Sequence, residues 1–458
     1  MDLYLFNPDN DLALANYDPN YRPPASAAKM GQDLTPLPGW LAHDGDCLLF
    51  PETVKWEQPV LYPDLKACFL PELTAEFAKD KKRWVNLQRQ VVRKNSRAVG
   101  KYGFPDSQKT CTGERLGTAG SDFFKLRNPV TAVLYEGGLV QLGGVVPWGW
   151  NPALVRRLAN AGVALDLLPT ADCLRDIRTV SHRSLAIRVL RQVREEASAD
   201  LKPLLCGESR EVSDEGVLRT LIGHTPDGLL LKAPLSGSGR GLIRAGHAYV
   251  HPVSGWCRGT LGMQGSVIVE PLYNKVCDFA MEFYADGKGA VAFEGYSLFE
   301  TNVHGSYTGN LLMTDRQIAA AIGRYGFQEQ HLQEVCRLLS EALGHEAAGR
   351  YRGPLGVDMM VCRAPEGRYK LHPCVEVNAR FTMGLFSRLF YDRYASAGVI
   401  GTFRIRFSKQ PGELREYAAG RQRQNPLVMK GGRIVSGYLP LNPVDGNTRF
   451  LAEVCLGG

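Results

Sequence analysis

Glu376, Asn378 and Arg380 stand at every second position of Pro373-Cys374-Val375-Glu376-Val377-Asn378-Ala379-Arg380, with Val375, Val377 and Ala379 between them. In a β-strand successive side chains point to opposite faces. One face of this segment is then apolar, and the other carries a carboxylate, an amide and a guanidinium in a row. Carboxylate and amide oxygens suit a hard cation such as Mg²⁺, and a planar guanidinium suits phosphate. The implied chemistry is the handling of a metal-bound phosphate, most simply a Mg-nucleotide.

Other segments carry groups for the same task. Residues 356–362 read as a strand holding Asp358, and Pro365-Glu366-Gly367 as the turn back to the Glu376 strand. Pairing about that turn predicts Asp358, Glu376 and Asn378 on one face, close enough to share one or two cations. Upstream, Lys232 ends an apolar strand over 228–233, where a lone lysine needs an anionic partner. It runs into Ser236-Gly237-Ser238-Gly239-Arg240-Gly241, a loop whose backbone N–H groups can approach phosphates. No Gly-Lys-Ser/Thr follows, so it is not a Walker loop, and G-x-G-x-G is not a dinucleotide fingerprint. Val267-Ile268-Val269-Glu270-Pro271 reads as an apolar strand ending at a hinge. Its backbone would read an adenine edge, with Glu270 or Asp278 accepting ribose hydroxyls. His304 lies in a polar stretch that would face a γ-phosphate or an acceptor, or be a plain loop. Asn7, Asp9 and Asp11 would line a substrate cleft or simply cap a turn. Trp148 and Trp150 read as core.

These groups need scaffolding. Residues 3–6 and 46–51 read as short buried strands, 73–95 as a helix, and 132–135 and 145–150 as strands about a Gly-rich turn. Asn151 opens a helix that Gly162 ends, and 163–168 reads as a following strand. This alternation predicts an α/β unit with parallel pairing over residues 1–180. Ser181 reads as the N-cap of a helix with Ala186, Val189, Leu190, Val193 and Ala197 on its apolar face. Strands over 279–284 and 290–295, and a helix through Leu332–Leu343 stopped by Gly344, complete the middle of the chain.

At 458 residues, two or three domains are expected. A net charge of +7 permits anionic ligands without demanding nucleic acid, and no RNA- or DNA-binding signature is present. Lys79-Asp80-Lys81-Lys82-Arg83 reads as a solvated helix face. Eleven scattered Cys, with no C-x-x-C pair, read as reduced thiols. No apolar run is long enough to span a membrane, and no secretory signal opens the chain; a cytoplasmic location is expected.

The order of parts, from Lys232 and its Gly-rich loop through the Glu270 hinge and Asp358 to Glu376-x-Asn378-x-Arg380, resembles the ATP-grasp superfamily over about residues 180–400. The whole chain is similar to a group of uncharacterised bacterial ATP-grasp proteins whose N-terminus reads like Asn7-Pro8-Asp9-Asn10-Asp11-Leu12-Ala13-Leu14-Ala15. The resemblance implies a mixed α+β architecture. An N-terminal α/β, pre-ATP-grasp-like domain (1–180) would serve the substrate side. A two-lobed ATP-grasp fold (181–400) would hold ATP and Mg²⁺, and a C-terminal tail (401–458) would pack on the core. It implies a ligase joining small-molecule or peptide carboxylates to amines through an acyl phosphate, with no nucleic-acid or membrane partner. By residue, it implies that Lys232 contacts the α/β-phosphates and the 236–241 loop covers the β/γ-phosphates. Glu270 would lie at the adenine and Asp278 near the ribose, and Asp358, Glu376 and Asn378 would ligate Mg²⁺. Arg380 would stabilise the transferring phosphoryl group. Arg183 stands where the family often has a second phosphate-binding lysine, which keeps the charge but not the geometry. A phosphotransferase or a non-catalytic nucleotide-binding module are the alternatives.

Overall fold

The computed structural model describes residues 1–50, 61, 66–69, 132–135, 138–225, 227–237, 241–246, 248–302 and 307–457. The helix expected over 73–95, the Lys79–Arg83 run, and Ser238, Gly239, Arg240 and His304 lie outside the described residues.

Three sheets organise the chain. The first comprises β1 (Asp2–Leu5), β2 (Cys47–Phe50), β3 (Lys66–Phe69), β4 (Ala132–Tyr135), β5 (Gly138–Gln141) and β6 (Gly144–Pro147), in the order β5-β4-β3-β2-β1-β6. β1 runs parallel to both β2 and β6, as the α/β pattern requires. The helix Pro152–Asn160 follows, capped by the Asn151 side chain, which accepts from the Leu154 N–H at 2.9 Å.

Two local expectations fail here. Residues 163–168 form no strand; they hold a short 3₁₀ turn, Leu165–Leu167, with Leu165 75% exposed. The segment buries Val163 and Leu168 only at its ends, and a Thr170-capped helix, Ala171–Val180, begins at once. Ser181 closes that helix instead of opening the next. His182 caps the helix Arg183–Glu196, its side chain accepting from the Ser184 N–H.

The second sheet is small and antiparallel: β7 (Arg210–Val212), β8 (Leu229–Lys232), β9 (Leu242–Ala245) and β10 (Val267–Pro271), ordered β7-β10-β8-β9. The chain leaves it at Pro271 and, after Leu272–Asn274, enters the third sheet. That sheet has nine antiparallel strands: β11 (Lys275–Asp286), β12 (Val291–Thr301), β13 (Tyr307–Leu312), β14 (Arg352–Arg363), β15 (Tyr369–Asn378), β16 (Gly401–Phe407), β17 (Val428–Lys430), β18 (Arg433–Pro440) and β19 (Phe450–Leu456). Their order is β15-β14-β11-β12-β13-β16-β19-β18-β17. Residues 401–458 are therefore no tail packed on a core, since they supply four strands of the largest sheet.

Alternation decides what each face of this sheet does. Phe279, Met281, Phe283, Leu355, Val357, Met359, Val361 and Val377 are buried on one face, under the helices Arg183–Glu196 and Glu329–Ala347. Full burial of each large apolar side chain contributes about 1.5–3 kcal/mol. The residues between them (Asp278, Ala280, Glu282, Gly356, Asp358, Glu376 and Asn378) belong to the other face. Gly344 lies inside the second helix instead of past its end. A Cβ there would strike the Gly289 carbonyl, so glycine permits the β11–β12 turn to close on the helix. A second core joins Trp40, the helix Met383–Tyr394 and the C-terminal strands. The Trp40 ring N–H donates to the Leu441 carbonyl at 2.8 Å, tying the N-terminal domain to β18's end.

Candidate functional site

β14 and β15 pair in the register that puts Asp358 directly opposite Glu376 and Gly356 opposite Asn378. Asn378 Nδ2 donates to Asp358 Oδ2 at 3.2 Å, and Asn378 Oδ1 accepts from Arg380 Nη2 at 3.0 Å. β11 extends the row, with Ala280 opposite Asp358 and Glu282 opposite Gly356. Alternating strands thus gather three carboxylates, an amide and a guanidinium on one face.

The cations reach this face from different elements. Arg183, at the start of its helix and 6% exposed, donates to Glu376 Oε1 at 2.8 Å. It also donates to Ser236 Oγ at 2.7 Å and to the Ala233 carbonyl, so it braces the entry of the Gly-rich loop. Arg380 makes a two-pronged pair with Asp11 of the N-terminal domain, at 2.7 and 2.8 Å. Gly237 packs on the same Asp11, where a Cβ would overlap the carboxylate. Lys232 finds its anion in Glu270, at 2.6 Å, and both are 3% exposed. Glu270 also accepts from Ser209 Oγ at 3.2 Å, so its carboxylate points into the small lobe instead of lying open at the hinge. Asp278 sits on β11 at the hinge side, accepting from Lys275 Nζ and from Thr301 Oγ1 at 2.8 Å. The geometry therefore brings together Asp358, Glu376, Asn378, Arg380 and Arg183, with Ser236 and Gly237 above them. Lys232 and Glu270 form a separate pair in the neighbouring sheet, and Asp278 stands along β11.

Asp358, Glu376, Asn378, Arg380, Arg183 and Asp11 line a cleft of about 410 Å³ between the lobes and the N-terminal domain, which Lys232, Glu270 and Asp278 do not line. Its electrostatics follow from crowding in a desolvated space. Burial, then the Glu376 and Glu282 carboxylates, push Asp358 well above the usual carboxylate range. Burial opposes the charge of Arg380, but Asp11, Glu376 and Asp358 outweigh it and hold the guanidinium above its ordinary value. Such a face favours a divalent cation. Among the described residues no group of three His, Cys, Asp or Glu is gathered as a self-sufficient metal site. Two carboxylates and an amide instead fit Mg²⁺, which takes few protein ligands and completes its shell with phosphate oxygens and water.

Sequence reading missed Glu282. It is 1% exposed and lies on the cleft floor, its Oε1 accepting from Ser297 Oγ at 2.8 Å and its Oε2 from Thr382 Oγ1 at 2.9 Å. Thr382 caps the helix Met383–Tyr394, so the carboxylate meets that helix's N-terminus. Burial still dominates and pushes Glu282 up to about 7 against both hydrogen bonds. The signal was present: Glu282 shares the parity of Asp278 in a strand whose other parity is apolar from Cys277 to Ala285. Also missed were Ile405, Phe407 and Phe450, which wall the far end of the cleft.

No family model matches the chain, and no curated protein matches it. Solved structures resemble it in part. Carboxyaminoimidazole ribonucleotide synthase from Aspergillus clavatus, complexed with ATP, is 13% identical, with a TM-score of 0.39 over 68% of this chain and 76% of that one. N5-carboxyaminoimidazole synthetase from Staphylococcus aureus, complexed with ADP, is 8% identical, with a TM-score of 0.40 over 69% and 76%. Biotin carboxylase from Campylobacter jejuni, crystallised as a β,γ-ATP complex, is 10% identical, with a TM-score of 0.43 over 69% and 71%. Likenesses of this size carry no functional argument, so the reading below rests on the side chains.

Proposed function

We propose that the chain is an ATP-grasp enzyme, an ATP- and Mg²⁺-dependent ligase that joins a carboxylate to an amine through an acyl phosphate. The observation that carries the reading is the row Asp358, Glu376, Asn378 and Arg380 on one sheet face, with Arg183 converging from a helix beneath the loop that holds Ser236 and Gly237. Asp358, Glu376 and Asn378 would hold Mg²⁺, which supplies charge neutralisation to the phosphates. Arg183 and Arg380 orient the phosphoryl group and balance its charge, and the loop after Ala233 excludes water. Lys232 contacts phosphate once nucleotide competes with Glu270 for it, and Asp278 accepts from the ribose.

A substrate carboxylate oxygen attacks the γ-phosphorus. The bond to the β–γ bridging oxygen breaks and ADP leaves. The amine nitrogen then attacks the acyl carbon, the C–N bond forms, the C–O bond to phosphate breaks, and the amine proton is lost to solvent. The test is release of ADP and phosphate from Mg-ATP in the presence of acid and amine mixtures. Glu376→Ala should reduce turnover by at least about 100-fold, the scale of losing one charge-stabilising group. Unchanged turnover would remove the metal assignment. ADP with a stable phosphorylated product would mark a phosphotransferase instead.

A further inference from the structure

The sheet face that carries the charged row does not stop at Glu282. Along β11 the same parity continues with Tyr284 and Asp286, and along β14 with Pro354 and Arg352. The register pairs Tyr284 with Pro354 and Asp286 with Arg352. β15 ends at Asn378, opposite Gly356, and does not reach this stretch of β14. A cavity of about 600 Å³ lies here, between the end of the sheet and the N-terminal domain, whose β6, Trp150 and helix Ala171–Val180 form the other wall. Trp148 and Arg380 line both this cavity and the charged cleft, so the two spaces adjoin at the Arg380 guanidinium.

The cavity is cationic at one end and aromatic along its side. Lys288, from the β11–β12 turn, and Arg350 and Arg352, from the entry to β14, line it at the end of the sheet. Among the described residues none of these three forms an ion pair. Glu346, four residues before Arg350, is engaged instead by Arg188, whose Nε and Nη2 each donate to it at 2.8 Å. Asp286 Oδ1 accepts from the backbone N–H groups of Lys288 and Ala290 at 2.7 and 3.0 Å, which commits it to the turn. The other carboxylate on the wall is Asp2, and the charge of Arg380 is already met by Asp11. Trp150 packs on two cores and still presents a half-buried face to the cavity, as Tyr284 does from the sheet. Guanidinium groups bind carboxylate and phosphate with two parallel hydrogen bonds, and flat aromatic faces accept the body of a ligand. From Gly356, opposite Asn378, to Arg352 is four strand residues, ~13 Å.

We propose that this cavity holds the acid substrate, and that the acid is an elongated one with two anionic groups: its reacting carboxylate beside Arg380, and a second carboxylate or a phosphate on Arg350, Arg352 and Lys288. The proposal rests on the ligase reading for the reaction itself. Arg350 and Arg352 act as specificity residues, reading the end of the acid that does not react.

The experiment measures binding to the full chain by calorimetry, first of Mg-ADP and then of three probes in its presence: sebacate, 10-phosphonodecanoate and monomethyl sebacate. The ester keeps the chain and loses one charge. At least one of the two-anion probes should bind about tenfold more tightly than the ester, ~1.4 kcal/mol. The tighter of the two tells whether the second group is a carboxylate or a phosphate. Arg350→Ala and Arg352→Ala, each at an exposed position, should weaken that probe by about tenfold and the ester far less. Arg352→Lys should recover part of the loss, because the charge returns without the fork. Equal binding of all three probes, or variants that weaken the ester as much as the two-anion probe, would overturn the proposal. Failure of Mg-ADP to bind would instead remove the ligase reading, while the preference for two anions would still decide whether the cavity is an anion site.

Discussion

Glu282→Gln isolates the cost of one buried carboxylate. The group's ordinary value is 4.5, and burial raises it to about 7. At ~1.36 kcal/mol per pH unit, that interval corresponds to roughly 3 kcal/mol. Between the two values the folded protein keeps a proton that the unfolded chain has released. Stability from this group is therefore full at the acid end and is lost as pH rises through about 7. Gln has the same shape, can accept from Ser297, and does not titrate. Urea unfolding of both proteins, in chelator, from about pH 5 to about pH 8 gives the comparison; the wild type should fall relative to the variant by roughly 2.5 kcal/mol across that range, the first part of the loss lying below about pH 5. Asp358 is raised partly by Glu282 itself, so the variant also relaxes Asp358, which adds to the difference in the same direction. Parallel stability curves would refute the argument, because they would mean that solvent or an unseen cation already compensates Glu282.

Further outcomes follow from the other contacts. Glu270→Gln should destabilise the small lobe by about 3–5 kcal/mol in urea unfolding, since it strands Lys232 in an apolar strand. Asp11→Asn should tighten binding of inorganic phosphate, measured by calorimetry, because it removes the carboxylate that occupies Arg380; weaker binding would show that Asp11 helps form the anion site. Gly384→Ala should cost about 1–3 kcal/mol in thermal or urea unfolding, the usual range for overpacking, as the new methyl meets Glu282 and Ser297.

The charged row was legible because a period-two pattern leaves little freedom: once 369–378 is a strand, Glu376 and Asn378 must share a face. The turn at Pro365-Glu366-Gly367 then brought Asp358 opposite Glu376. Partners across long sequence separations were not legible. Nothing local ties Asp11 to Arg380 or Arg183 to Glu376, because those contacts depend on how the N-terminal domain and the helix Arg183–Glu196 dock. Ser181 and Gly344 misled for a related reason. Each has the residue type of a helix boundary, but Ser181 ends one helix two residues before the next begins, and Gly344 answers a close approach by Gly289. The 163–168 segment is apolar enough for a strand but is the short connection between two capped helices, and Leu165 at its middle faces solvent. The C-terminal strands were missed as a unit, because their pairing with β13 is non-local.

β19 is the last of the described strands in sequence, yet it lies between β16 and β18, both made earlier. The large sheet therefore cannot be laid down in the order of synthesis. A nascent chain that has emerged past β16 presents an open strand edge, with unpaired N–H and C=O groups, until β19 arrives to fill it. Such late, non-local insertion makes for slow folding and leaves the intermediate prone to sticking to other chains. It also sets an order of maturation. Asp358, Glu376 and Asn378 can be in place while Phe450, one side of the aromatic wall, is still missing. A chain interrupted before β19 would hold the charged end of the cleft without its aromatic end.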